Sequence, residues 1–227
     1  MKRIVQIELT NFCNRKCHYC GQTNMTRPKG FMEPALVDRC IDVLIKIGQI
    51  DNVGLNHYGE SLLHPDFINI VEKFNTNGIT PWLFTNGDYI SDNMIEKLAK
   101  LTFSSIVISS HMPKAERQAI QKKCYDAGLP AYWQPDYTPE SLISIGNQVE
   151  NVGGDRGKPP LKDPANQCAF LKNDWGIVLW NGDLVPCCID YDAKGMFGNI
   201  MDGNSHDLHS AIFNICSQCP GHSGNKI

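Results

Sequence analysis

The sequence contains no run of about 18 apolar residues, the length a membrane-spanning helix needs, so no spanning helix is expected. It has no large excess of either charge: 21 Lys and Arg against 24 Asp and Glu leave −3. That excludes a nucleic-acid binder working through bulk positive charge. The opening residues, Met1-Lys2-Arg3-Ile4-Val5-Gln6-Ile7-Glu8, lack the apolar core and small-residue cleavage site of a signal peptide. Low-complexity tracts are missing too, and no repeat exceeds a βα unit. Disorder is excluded by the 42% apolar content of the 227 residues, which supports a core for one domain with at most a small appendage.

Cysteine, by contrast, is abundant, with ten in the chain. Dense disulfides belong to small domains that cannot build a core, and this chain can. The cysteines are also clustered: 13, 17 and 20, then 187 and 188, then 216 and 219, with Cys40, Cys124 and Cys168 apart. Such spacing reads as metal or cluster ligation in a reducing compartment, and a cytoplasmic protein is expected.

Short β-branched runs alternate with helical patterns up to about residue 152. Strands are predicted at 4–9, 53–56, 80–84, 106–108 and 131–133, with a sixth near 149–152. Helices are predicted from Pro34, after His64-Pro65, after Ser91 and from about Pro113. The βαβα order implies a parallel sheet with crossover helices. Its length falls short of the about 250 residues of an eight-unit barrel, so an open or partial barrel is expected. At Gly153-Gly154-Asp155-Arg156-Gly157 the composition shifts. Beyond it, Trp175 to Trp180 and Leu184-Val185, joined by Asn181-Gly182, read as a β-hairpin. The tail has little apolar mass and is expected to need a metal to fold.

Cys13, Cys17 and Cys20 follow the first strand in the spacing C-x3-C-x2-C. Three thiolates suit a [4Fe–4S] cluster with one open iron. A zinc knot with a distant fourth ligand is the alternative. In the tail, Cys168, Cys187 or Cys188, Cys216 and Cys219 offer four thiolates, which by count suit zinc or an iron–sulfur cluster equally.

The motif Cys13-Asn14-Arg15-Lys16-Cys17-His18-Tyr19-Cys20, with Tyr19 at the aromatic position, resembles the radical S-adenosylmethionine (SAM) superfamily. The resemblance implies a partial (β/α)5-6 barrel with a parallel sheet. It implies a cluster whose open iron chelates SAM and, once reduced, splits it to a 5′-deoxyadenosyl radical. Gly59-Glu60 stands where that family has a Gly-Gly-Glu-like motif, and Tyr58 departs from its first Gly. Glu60 would then receive the methionine ammonium; read alone, it is a solvated loop acid. Thr85 and Asn86, and Ser109 and Ser110, end strands where the family binds its cofactor; capping is their other reading.

The tail pattern C-x13-G-x4-C followed by C-x2-C resembles the twitch domain, a shortened SPASM domain that holds one auxiliary [4Fe–4S] cluster in a small β-hairpin/helix unit. The resemblance implies Cys168, Cys187, Cys216 and Cys219 as its ligands, a barrel over 1–155 and a twitch domain over 156–227. Cys188 is then a small buried residue or a hydrogen-atom donor. Arg156 is a surface residue, or it faces the substrate and assists deprotonation. Among twitch-bearing enzymes the chain resembles dehydrogenases acting on aminocyclitols more than molybdopterin cyclases. That implies a small polar substrate oxidised by two electrons and an electron donor such as flavodoxin or ferredoxin. An epimerase, a peptide- or nucleotide-modifying enzyme and a non-catalytic metal-binding scaffold are the rival readings.

Overall fold

The first strand, β1 (Arg3–Ile7), ends three residues before the loop that leads to Cys13. The computed structural model describes residues 3–17, 20–109, 113–133 and 168–202. The predicted helices form: α1 (Pro34–Lys46), α2 (Phe67–Thr76), α3 (Asp92–Leu98) and α4 (Lys114–Asp126). Local sequence sets their ends. Pro34 sits in the first turn of α1, where its missing N–H is not needed. Ser91 caps α3 by accepting a hydrogen bond from the Met94 N–H. Strands β2 (Trp82–Thr85), β3 (Ser105–Ile108) and β4 (Ala131–Trp133) pair in parallel.

The strand predicted at 53–56 shortens to a single bridging residue, Gly54. It pairs with Gln6 on one side and Trp82 on the other, in parallel both times. Backbone bonds from Ile7 N to Gly54 O (2.7 Å) and from Leu55 N to Trp82 O (2.9 Å) carry the sheet across it. The side chain that a strand would place at position 54 has no room. A Cβ there would meet the Trp82 ring at 2.5 Å and Asn56 Oδ1 at 2.6 Å.

The tail supplies a short helix, α5 (Ala169–Lys172), then β5 (Trp175–Val178), β6 (Asp183–Val185) and β7 (Gly198–Asn199). β5 and β6 form the predicted hairpin, with Gly182 at φ +87° in its turn. β5 also pairs in parallel with β1. The described strands therefore run β7-β6-β5-β1, then Gly54, then β2-β3-β4, so the hairpin extends the barrel sheet. The possible strand near 149–152 lies outside the described residues.

One core fills the helix side of the sheet. Ile7, Leu9, Leu55, Leu83 and Ile106 meet Cys40 and Leu44 of α1, Phe67 and Phe74 of α2 and Leu98 of α3. A second cluster under the hairpin gathers Cys168, Phe170, Leu171, Ile177, Leu179 and Val185. Because strand side chains alternate, Gln6, Glu8, Asn56, Trp82 and Phe84 turn to the face opposite the helices. No helix among the described residues is long and apolar enough to cross a membrane.

Candidate active site

The loop after β1 carries Cys13 and Cys17, and Cys20 opens a short 3-10 turn. All three thiols are free and half-buried. Burial, together with the neighbouring thiols, pushes Cys20 up to about 11 and raises Cys13 as well. Backbone N–H groups two residues on face two of the sulfurs, Arg15 N on Cys13 Sγ at 3.5 Å and Gln22 N on Cys20. An N–H aimed at sulfur favours the thiolate a metal requires.

A network fixes this loop from the side. The Arg15 guanidinium forks onto Asp88, Nε to Oδ2 at 2.7 Å and a second N–H to Oδ1 at 2.5 Å. The Asn14 amide also donates to Asp88, at 2.7 Å, and the Asn86 amide donates to Asn14 at 2.8 Å. Asn86 Nδ2 lies 4.0 Å from Cys13 Sγ. Asp88 follows the Asn86-Gly87 turn at the end of β2, where Gly87 takes φ +84°.

Gly59 and Glu60 lie against the same loop. A Cβ on Gly59 would stand 1.9 Å from the Thr10 carbonyl oxygen, so only glycine lets the two backbones cross here. Glu60 is 2% exposed and is no solvated acid. Its carboxylate accepts from Thr85 Oγ1 (2.9 Å), Leu62 N (3.2 Å) and Asn86 N (2.8 Å). Burial raises its pKa while these donors oppose the rise. The structure thus brings Cys13, Glu60, Thr85 and Asn86 together. Ser109 is buried at the end of β3, its N–H on the Thr85 carbonyl. Tyr19, Ser110 and Arg156, with Cys216 and Cys219, lie outside the described residues.

Cys187 and Cys188 follow β6 and pack with Cys168 against the second core cluster. The Cys187 sulfur faces the backbone N–H groups of Ile189 and Asp190. Cys188 is faced only by its own N–H, although Cys168 lies within its electrostatic reach; burial pushes it up to about 12. Cys187 therefore shares the N–H-to-sulfur pattern of Cys13 and Cys20, and Cys188 does not. Cys40 and Cys124 are buried on the inner faces of α1 and α4 and have a packing role, as expected.

Several residues of the site give little sequence signal. Glu8, fully buried, receives a fork from Arg27 at 2.8 and 2.5 Å. Arg27 also donates to the Tyr191 carbonyl at 2.6 Å, and Asp192 accepts from Thr26 N at 2.7 Å. These bonds hold the loop after Cys188 onto the barrel. Tyr58 stacks edge-on with His57 (4.6 Å between ring centroids) and with Tyr191 (5.7 Å). Burial lifts its phenol well above the usual range, and Cys188, Cys20 and Cys187 add to the rise. Tyr58 therefore stands between the two cysteine loops. A carboxylate between the apolar Ile7 and Leu9, just past β1, was the one sequence cue to Glu8.

An apolar groove of about 340 Å³ between α1 and α2, lined by Met32, Val37, His64 and Ile70, lies on the helix side of the sheet. His64 at its edge is fully engaged, by the Met32 carbonyl at 3.1 Å and the Asp66 N–H at 3.1 Å.

The sequence profile of the Radical SAM superfamily matches residues 7–129, more than half of the chain. The chain belongs to the radical SAM superfamily. The chain is 22% identical over 210 residues to the S-adenosyl-L-methionine-dependent 2-deoxy-scyllo-inosamine dehydrogenase of Niallia circulans, covering 90% of this chain and 81% of that protein. It is 25% identical over 151 residues to the tungsten-containing aldehyde ferredoxin oxidoreductase cofactor-modifying protein of Pyrococcus furiosus, covering 66% of this chain and 40% of the relative. Among solved structures, BtrN in complex with AdoMet and 2-DOIA superposes with a TM-score of 0.67 at 20% identity, over 92% of this chain and 82% of that one. Native anSMEcpe with bound AdoMet gives 0.63 at 12% identity, over 92% and 80%. Both likenesses establish the fold, a mixed α/β radical SAM partial barrel.

As a radical SAM enzyme the protein uses a [4Fe–4S] cluster and SAM. The donors present fit that cluster. No three His, Cys, Asp or Glu side chains among the described residues converge on one ion. A cubane cluster does not require this, since each cysteine binds its own iron at a separate corner. Three free thiols in mutual electrostatic reach, two with an N–H aimed at sulfur, suit such a ligand set.

Proposed function

We propose that this radical SAM enzyme oxidises an alcohol carbon of a small polyhydroxylated, amine-bearing molecule by two electrons, with Cys168, Cys187, Cys216 and Cys219 holding an auxiliary [4Fe–4S] cluster. When bound, the first cluster with SAM supplies a 5′-deoxyadenosyl radical, and the auxiliary cluster supplies an acceptor for the second electron. Oxidation of a carbinol to a carbonyl gives up one hydrogen atom, one proton and one electron, so both services are required. Cys13, Cys17 and Cys20 hold the first cluster. Glu60, Gly59, Thr85 and Asn86 shape the SAM side of the site, with Tyr19, Ser109 and Ser110. Arg156 steadies the oxygen that loses its proton. An electron donor such as flavodoxin or ferredoxin primes the enzyme.

One observation carries this reading: the buried Tyr58 lies within electrostatic reach of Cys20 of the triad loop and of Cys187 and Cys188 of the tail, and with Tyr191 it crowds Gly21, the residue after Cys20. The relative from Niallia circulans, matched over most of both chains, is named as a dehydrogenase of an aminocyclitol and supports the substrate class. Anaerobic incubation of reconstituted enzyme with SAM, dithionite and a panel of aminocyclitols and sugars tests it. One panel member should raise 5′-deoxyadenosine formation well above the substrate-free level and emerge as a carbonyl compound. A panel in which none does so refutes the assignment.

A second reading rests on Cys188. Cys188 packs on the second core cluster beside Cys187 and is left outside the proposed ligand set, and a hydrogen-atom donor needs an S–H free of metal. Such an enzyme is an epimerase: it returns a hydrogen atom to the substrate and leaves its oxidation state unchanged. In deuterated water an epimerase incorporates solvent deuterium at carbon, and Cys188→Ala abolishes that incorporation.

A further inference from the structure

Three polar side-chain atoms of β1 and the neighbouring segment are buried without a hydrogen-bond partner: Gln6 Oε1, Asn56 Oδ1 and His57 Nε2. A buried polar group without a partner costs about 1–3 kcal/mol, and such groups persist where a ligand supplies the missing bond. They are neighbours by register. Gln6 bridges Gly54, so Asn56, two residues on, points to the same face of the sheet one level nearer the cysteine loops. Asn56 Oδ1 folds back over Gly54, where the absent Cβ leaves it beside the Trp82 indole. His57 follows directly and contacts Tyr58.

We infer that Gln6, Asn56 and His57 form the wall that reads the hydroxyl groups of the substrate, with the Trp82 indole beside them covering its C–H face. The inference rests on the function proposed above and names residues for its substrate site. The chemistry of the wall selects the ligand. Primary amides donate and accept, as a hydroxyl does. Burial holds His57 neutral, with a pKa of about 4, so the wall carries no charge of its own. The nearby ions cancel: the Glu8 carboxylate is forked by Arg27 and also faces the Tyr58 N–H at 3.4 Å and the Trp180 N–H at 3.4 Å. Among the described residues no free cation is offered here to a phosphate or carboxylate. An apolar ring face beside a few placed polar groups is the usual make-up of a small-molecule site, and it matches a cyclic polyol.

The test measures binding by saturation-transfer NMR and calorimetry on anaerobic holoenzyme with SAM, using 2-deoxy-scyllo-inosamine and myo-inositol as probes. Gln6→Met, Asn56→Leu and His57→Phe keep approximate size and remove the polar atom. Each should weaken the better probe about five- to tenfold, the worth of one hydrogen bond, at unaltered iron content. Where a variant loses iron, the ligand is altered instead: a deoxy analogue lacking one ring hydroxyl should bind wild-type enzyme about tenfold more weakly for at least one hydroxyl. Probe binding unaffected by the variants and by hydroxyl removal overturns this inference and leaves the proposed oxidation standing. Failure of both probes to bind, with no panel member raising 5′-deoxyadenosine, overturns both.

Discussion

At Gly59 the backbone of one loop crosses the backbone of another with no space for a side chain. A methyl group would sit 1.9 Å from the Thr10 carbonyl oxygen, and neither backbone can yield as a flexible side chain would. Overpacking ordinarily costs about 1–3 kcal/mol. Gly59→Ala should reach at least the top of that range, lowering the thermal midpoint by several degrees and reducing iron incorporation. A variant with wild-type melting and iron content would refute the close crossing. His57 makes a prediction of pH dependence. Burial lowers its folded-state pKa from 6.5 to about 4, against the opposing pull of Glu8. Between those values the unfolded chain holds a proton that the folded chain does not, so acidification favours unfolding. Above pH 6.5 the group contributes no slope. The stability advantage of wild type over His57→Gln should therefore shrink as pH falls from 6.5 toward 4, measured by denaturant titration at several pH values. A constant difference would place His57 in water. Sequence alone exposed Gly59 and Glu60 through their motif. It showed neither the crossing that demands a glycine nor the three donors on Glu60, because both depend on contacts with distant residues.

At the scale of elements, the helices were legible because apolar period, caps and stop glycines are local. Their observed bounds fall within a residue or two of those expected, as with Ser91 at the start of α3. The segment at 53–56 was legible as extended chain but not as a one-residue bridge, since the limit is the Trp82 ring from the next strand. Two ties between elements left almost no trace in the sequence. The first is Asp88, which receives Arg15 and Asn14 from the triad loop. Asp88→Ala should release that loop and speed iron loss to a chelator several-fold in the anaerobic holoenzyme; an unchanged rate would show that the latch is idle. The second is Arg27, whose side chain is 9% exposed and which neutralises the fully buried Glu8. Arg27→Ala leaves a buried carboxylate unpaired, a loss of about 3–5 kcal/mol. Arg27→Lys should recover only part of it, because an ammonium cannot form the fork. Thermal unfolding checks both variants. Melting of Arg27→Ala within a degree of wild type would refute the tie.

Over the whole molecule, the cysteine spacing foretold a radical SAM barrel, and the family match and the fold agree. The place of the hairpin was not foretold. Its own turn, Asn181-Gly182, is a local signal, whereas parallel pairing of β5 with β1 joins residues more than 170 apart and leaves no pattern in either strand. That pairing makes the tail an extension of the barrel sheet, and Tyr58 lies within electrostatic reach of both cysteine loops. The account built on this arrangement is that one electron leaves the substrate with each hydrogen atom abstracted. The most direct test is the stoichiometry of anaerobic turnover in deuterated water, with 5′-deoxyadenosine and product quantified together by mass spectrometry. The account predicts one carbonyl product for each 5′-deoxyadenosine and no solvent deuterium at carbon. A product of unchanged oxidation state carrying solvent deuterium would contradict it.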